Sequence, residues 1–95
     1  DGWISDLHTL KELEALIREV RAYRAEAGKA NEPFRILGFS CSDAWGPDGF
    51  RAMRDIGLDV VSTMPGAFYG VDMKAPVARK IDAIKRFADD VIAKI

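Results

Sequence analysis

Residues 56–66 constrain the fold more than any other stretch of the chain. Gly57 can take the left-handed backbone conformation that ends a helix, because it has no Cβ to clash. Residues 58–61 contain one leucine and two valines, a composition typical of a strand covered on both faces. The Pro-Gly pair at 65–66 then ends the strand, since proline cannot donate to a ladder and glycine turns freely. A buried strand between two helices predicts a parallel α/β fold.

Length and composition limit the chain to one unit and exclude several classes of protein. It has 95 residues, of which 48% are hydrophobic, enough for a globular core. A net charge of −1 gives no basic field for nucleic acid or an anionic membrane, and no apolar run is long enough to span a bilayer. The single cysteine excludes an internal disulfide and a multi-cysteine metal site. No signal-peptide pattern is present, so we expect a cytoplasmic protein.

Three helices are predicted from caps and periodicity. The first is placed at residues 9–27, because Thr9 and Glu12 have capping-box spacing. The others are placed at residues 47–56 and 76–94, each with a proline at the start. Apolar residues at helical spacing are expected to face the core: Leu10, Leu13, Leu16, Ile17, Val20 and Tyr23, then Phe50, Met53 and Ile56, then Val77, Ile81, Ile84, Phe87, Val91 and Ile95.

Strands are predicted at residues 34–40 and 58–63, with residues 1–4 as the tail of a third. Right-handed crossovers make them parallel neighbours, with Ile81, Ile84 and Phe87 packed on the sheet. Residues 64–75 are predicted to be a loop. Such a small sheet leaves both edges open and offers too little surface for three apolar helix stripes. We therefore interpret residues 1–95 as a single segment of a larger α/β protein.

Several short motifs follow one another in a fixed order along the chain. They are Asp1-Gly2-Trp3, a long helix ending in Ala27-Gly28, Phe34-Arg35-Ile36, the run Ile-Gly-Leu-Asp-Val-Val at 56–61, and a closing helix rich in Ile84, Phe87 and Ala88. This ordered set resembles the C-terminal third of luciferase-like monooxygenases, most closely the branch that uses a deazaflavin. The resemblance implies that residues 1–4, 34–40 and 58–63 are the last three strands of a (β/α)₈ TIM barrel. It also implies redox chemistry on a small organic substrate, with FMN or the deazaflavin coenzyme F-420 as cofactor.

Active sites of such barrels lie at the carboxyl ends of the strands. Here those ends are followed by residues 4–8, 40–46 and 64–73. The resemblance implies cofactor contacts by Trp3, Met64, Phe68 and Tyr69, and a substrate contact by Cys41. We assign no catalytic residue and no metal ligand. The phosphate-holding turn of the family precedes its "DGW" strand, so we expect this chain alone to retain no cofactor and to be inactive.

Ordinary structural roles compete with these assignments. Cys41 has no visible base to make it a nucleophile, His8 lies where a polar residue often flanks a helix start, and the aromatic side chains can simply pack. For the whole chain, the alternative is a non-catalytic α/β interaction module that works as an oligomer. The open sheet edges predict a homo-oligomer in either case, such as a dimer that exchanges residues 76–95.

Overall fold

Three parallel strands form the sheet in the computed structural model, which describes residues 1–95. Their spatial order follows the chain: β1 (Gly2–Ile4), β2 (Arg35–Phe39) and β3 (Val60–Ser62). Trp3 lies beside Ile36 in the first pair of strands, and Leu37 lies beside Val60 in the second. The predicted parallel pairing of the second and third strands is confirmed, although each strand is shorter than predicted.

Four helices and one 3₁₀ turn complete the fold: α1 (Leu10–Glu26), α2 (Gly46–Asp55), α3 (Pro65–Phe68), α4 (Val77–Asp90) and the 3₁₀ turn Ile92–Lys94. The three predicted helices are confirmed to within a few residues. The loop predicted at residues 64–75 is corrected, because Pro65 opens α3 instead of only ending the strand. Its fixed φ suits the first helical position. None of the helices combines the length and the apolar content needed to cross a membrane.

The start of α1 is fixed by two side chains. The Thr9 hydroxyl accepts a hydrogen bond from the Glu12 amide at 3.3 Å and donates one to the Glu12 carboxylate at 2.9 Å. The Asp43 carboxylate accepts the Leu10 amide at 2.8 Å, which satisfies another free amide of the first turn. Because Asp43 follows β2, this bond ties the loop after β2 to the helix that follows β1.

One face of the sheet is covered by the helices. Right-handed crossovers between strands in sequential order place α1 and α2 on the same side. Ile36 points to that side and is only 1% exposed. The core on this face draws side chains from α1, α2, α4 and the strand ends: Leu13, Ile17, Ile36, Phe50, Met53, Leu58, Phe87 and Val91.

The opposite face of the sheet is mostly apolar and is uncovered. Ile4, Leu37 and Val60 are in register across the three strands, and Ile4 is 68% and Val60 41% exposed. Phe39 lies on the same face and is also exposed. The prediction that the third strand is covered on both faces is therefore wrong for this chain, because all the helices lie on one side. We call this surface the open face.

The last helix buries only part of the predicted stripe: Phe87 and Val91 are buried as predicted, whereas Val77 and Ile95 are exposed. Ala83, Phe87 and Val91, spaced four residues apart, face the core, whereas Ile81 and Ile84 are exposed, the latter at 56%. The prediction that Ile81 and Ile84 pack on the sheet is corrected. Helical periodicity predicts which residues are apolar. It does not predict which of two adjacent apolar stripes packs against the rest of the protein. Tyr23, predicted to face the core, is likewise exposed near the end of α1.

Candidate functional site

A pocket of about 460 Å³ lies at the carboxyl ends of the three strands. Parallel strands end at the same edge of a sheet, so the loops that follow them meet there. Phe39 and Ser62, the last residues of β2 and β3, also line the pocket and belong to the open face. The remaining lining comes from the three loops and α3: Asp6 and Leu7, then Ser40, Cys41, Ser42 and Trp45, then Thr63, Met64, Ala67 and Phe68.

One wall of the pocket is aromatic and is anchored in the core. The Trp45 and Phe68 rings meet edge to face, with centroids 4.6 Å apart and planes at 75°. Phe68 in turn lies 5.3 Å from the ring of Phe87 and 6.1 Å from that of Phe50. Edge-to-face pairs are favoured by the ring quadrupoles. The pocket wall therefore continues directly into the aromatic part of the core.

The polar groups in the pocket are mostly hydroxyls. The Ser40 and Thr63 hydroxyls share a hydrogen bond of 2.9 Å across the ends of β2 and β3, and Ser42 and Ser62 also line the cavity. Asp6 is the carboxylate of the lining, and one of its oxygens accepts the Leu7 amide at 2.8 Å. No lysine or arginine lines the pocket. Its chemistry suits a neutral or weakly polar ligand better than an anion.

Cys41 lines the pocket and is buried. Its side chain is only 3% exposed, and burial, with a smaller contribution from the Asp43 carboxylate, raises the pKa of the Cys41 thiol. A nucleophilic cysteine needs a depressed pKa and a base, and this site offers the opposite. Cys41 can therefore contact a ligand through its sulfur, in keeping with the predicted substrate contact, but it is not set up to attack one.

The structure brings together some of the residues predicted to form the site and leaves others apart. Met64, Phe68 and Cys41 line the pocket. Trp3 packs against the core on the covered face. The Tyr69 hydroxyl donates to Asp90 at 3.0 Å, and partial burial together with this bond raises the pKa of Tyr69. Neither Trp3 nor Tyr69 lines the pocket, so a cofactor contact by either one remains a prediction without support from the pocket geometry.

His8 lies outside the pocket, next to the start of α1. Its Nδ1 is 3.7 Å from the Glu12 carboxylate one turn along. It has the flanking position expected of a polar residue at a helix start, and no acid–base pair involving it faces the cavity. The structure contains no group of three or more histidine, cysteine, aspartate or glutamate side chains placed to hold a metal.

Sequence reasoning missed Trp45 and the Ser40–Thr63 pair as part of the site. Both belong to segments that directly follow strands, so position alone could have found them. Trp45 lies in the 40–46 loop, which was predicted to border the active site. Its residue type carried no signal, because a tryptophan before a helix is equally common in a core.

The chain is similar to three uncharacterized mycobacterial proteins, one from Mycobacterium bovis and two from strains of Mycobacterium tuberculosis. Each is 34% identical over 96 residues, and the match covers 100% of this chain but 33% of the relative. The chain thus spans about a third of the length of the curated relatives it matches. No family model matches the chain. No solved structure matches it either.

Proposed function

We propose that this chain is the C-terminal wall of a (β/α)₈ barrel in a luciferase-like oxidoreductase that uses FMN or a deazaflavin. The pocket at the strand ends is part of its active site, and the substrate is a small organic molecule. The observation that carries this proposal is the position of the pocket. It lies at the carboxyl end of a parallel sheet, where a barrel has its mouth, and it includes Phe39 and Ser62 of the open face.

Because the helices lie on one side of the sheet, the structure favours a barrel rather than an open doubly wound sheet. Doubly wound sheets carry helices on both faces, whereas a barrel keeps them outside and fills its interior with Val, Ile and Leu. The open face presents Ile4, Leu37 and Val60 in register. Only 14 of 95 residues are buried, and the radius of gyration of 15.4 Å exceeds the ~13 Å typical of a compact 100-residue domain.

The length of the relatives agrees with the same architecture. Because the match covers 33% of each of them, they are about three times as long as this chain. A (β/α)₈ barrel typically takes about 250 residues, with a range from about 200 to more than 400. This chain has three of the eight strand–helix units that a barrel needs, in about a third of the length of the relatives. The proportion agrees with a barrel of that length.

The pocket fits the ring of a flavin better than its phosphate. Met64 and Phe68 offer apolar surface against which the ring can pack. The lining has no cationic side chain to hold a phosphate, so we expect that group to be bound by other parts of the protein. When bound, the cofactor supplies hydride-transfer or oxygen chemistry, while the protein positions it and excludes water.

Titration of FMN and the deazaflavin against two proteins tests this proposal. The complete Mycobacterium tuberculosis relative is expected to bind one of them saturably, whereas the 95-residue chain alone is expected to bind neither at micromolar concentrations. Riboflavin, which has the flavin ring without the phosphate, is the matched control and should bind the relative more weakly than FMN if FMN is the cofactor. Binding of neither cofactor by the complete relative would overturn the proposal.

A second candidate is a non-catalytic interaction module. Its support is the amount of apolar surface that the chain leaves uncovered, on the open face and along Ile81 and Ile84 of α4. Such a module would form a stable oligomer and leave the pocket without a cofactor. The same titration separates the two candidates, because only the oxidoreductase predicts saturable cofactor binding by the complete relative.

A further inference from the structure

Trp45 is exposed at the pocket and yet held in place from two sides. Its side chain is 56% exposed, while its indole N–H donates to the Ser42 carbonyl at 2.9 Å. The edge-to-face contact with Phe68 fixes the ring from the other side. An exposed aromatic ring lacks the free energy that burial would contribute. The Trp45 side chain is also held in one rotamer by these two contacts. A rigid, solvent-facing indole on a pocket wall is preorganised to receive another ring.

We propose that Trp45 is a stacking platform for a neutral, planar ring that carries an oxygen atom. The inference deepens the proposed function by naming the substrate class, and it rests on that proposal only in calling the ligand a substrate. The pocket of about 460 Å³ has room for a ring system of two or three fused rings. Leu7, Met64 and Ala67 supply the rest of the apolar surface.

The oxygen requirement follows from the Ser40–Thr63 pair. Each hydroxyl has one hydrogen to donate, and the bond between them uses only one of the two. The other hydrogen is free to reach a carbonyl or hydroxyl oxygen of the ligand. Both side chains are partly buried at the carboxyl ends of neighbouring strands, so this donor has a fixed position.

The requirement for neutrality follows from the charges around the cavity. Asp6 lines the pocket, and no lysine or arginine does. Cys41 also lines the pocket and carries no positive charge in either protonation state. An anionic ring would lose water without gaining a cationic partner and would be repelled by Asp6. A neutral ring meets neither cost.

Naphthol and naphthalenesulfonate test the proposal, because they share the same ring system but the first is neutral and the second is an anion. The chain contains two tryptophans, Trp3 and Trp45, so its nitrogen-15 NMR spectrum has two indole N–H signals. Trp3 serves as the internal reference because it packs against the core away from the pocket. Naphthol is expected to shift the Trp45 signal saturably and leave the Trp3 signal in place. Naphthalenesulfonate is expected to bind at least about tenfold more weakly, a difference of one charge–charge contact at the pocket.

Three variants assign the effect to the proposed groups. Trp45→Ala is expected to weaken naphthol binding about tenfold, and the double variant Ser40→Ala/Thr63→Val about threefold. Tyr23→Ala removes an exposed aromatic ring that does not line the pocket and is expected to leave binding unchanged. The wild-type shift experiment stands even if a variant fails to fold.

Equal shifts of both indole signals, no shift of the Trp45 signal, or tighter binding of naphthalenesulfonate would overturn the stacking proposal. Failure here is distinct from failure of the proposed function, because no flavin takes part in this experiment. If the complete relative binds FMN but naphthol does not shift the Trp45 signal, the oxidoreductase proposal stands and the stacking proposal is wrong.

Discussion

The Oγ of Ser40 and the Oγ1 of Thr63 lie 2.9 Å apart and join the carboxyl ends of β2 and β3. Just before this contact, the Ser40 amide donates to the Ser62 carbonyl at 2.9 Å, which extends the ladder past the last strand residue. The two bonds keep the loops after β2 and β3 side by side. Because both loops line the pocket, its shape depends on this contact.

Loss of the Ser40–Thr63 bond is expected to lower stability modestly. Thr63→Val keeps the shape of the side chain and removes the hydroxyl, and the expected loss is about 0.5–1.5 kcal/mol in the free energy of unfolding. Urea denaturation at one fixed protein concentration measures it. Ser42→Ala, at an exposed position, is the control and should change stability by less than about 0.5 kcal/mol. A double-mutant cycle with Ser40→Ala should show coupling, and additive effects of the two changes would contradict the role given to the pair.

Gly49→Ala is expected to destabilise the chain despite the better helix propensity of alanine. A Cβ at position 49 would lie 2.4 Å from the carbonyl carbon of Ala44 and 2.5 Å from its oxygen. Alanine gains at most about 1 kcal/mol over glycine in a helix, whereas overpacking against rigid backbone costs about 1–3 kcal/mol. The steric term wins. Asp48→Ala on the same helix is the control, with an exposed side chain and an expected change below about 1 kcal/mol. A stabilised Gly49→Ala variant in thermal unfolding would show that Ala44 moves freely.

The reactivity of Cys41 is expected to depend on pH with a definite sign. Burial and the Asp43 carboxylate hold the pKa of the thiol above its ordinary value of 9.0, so folding favours the protonated form. The stabilisation is present below pH 9.0 and is lost as the pH rises through the folded-state pKa. Alkylation by iodoacetamide at neutral pH should therefore be slower in the native chain than in denaturant.

Asp43→Asn provides the matched variant for this measurement. The amide oxygen can still accept the Leu10 amide, so the helix cap is kept while the negative charge is removed. The alkylation rate should rise, although by less than on unfolding, because burial is the larger cause of the raised pKa. A native chain that reacts as fast as the denatured one would mean that Cys41 is an activated thiol and would contradict the buried, unreactive role given to it.

The isolated chain is expected to associate. A monomer leaves Ile4 68%, Ile84 56% and Val60 41% exposed, and each such side chain forfeits part of the ~1.5–3 kcal/mol that full burial contributes. A few losses of that size approach the ~5–15 kcal/mol by which a domain is normally stable. Light scattering on a size-exclusion column, at low and high protein concentration, measures the mass. A cooperative monomer at every concentration would show that the 95 residues form a complete small domain.

Local signals in the sequence predicted much of the fold. The cap at Thr9, the glycine at position 57, which has φ of +113°, and the alternation of helices and strands were enough for the element order and the parallel pairing. Exposure was harder to predict. Val60 and Ile84 have the residue type and spacing of core positions, yet both are exposed. Burial depends on what covers a surface, and periodicity describes only the surface itself.

The position of the candidate pocket was predictable from the sequence, but its detailed lining was not. The three loops expected at the carboxyl edge do line the pocket, and Met64, Phe68 and Cys41 are among the lining residues. Trp3 and Tyr69 are not, because strand alternation turns Trp3 to the covered face and the Asp90 bond holds the Tyr69 hydroxyl. Neither the alternation phase of a three-residue strand nor a contact across 21 residues can be read from local pattern.

The most direct test of the barrel proposal is a crystal structure of the complete Mycobacterium tuberculosis relative, grown with FMN or the deazaflavin. We predict a closed eight-stranded barrel in which the residues aligned with Ile4, Leu37 and Val60 point inward. The cofactor ring should lie at the barrel mouth, next to the residues aligned with Met64 and Phe68. An open sheet with helices packed on both faces, or a cofactor bound elsewhere, would contradict the proposal.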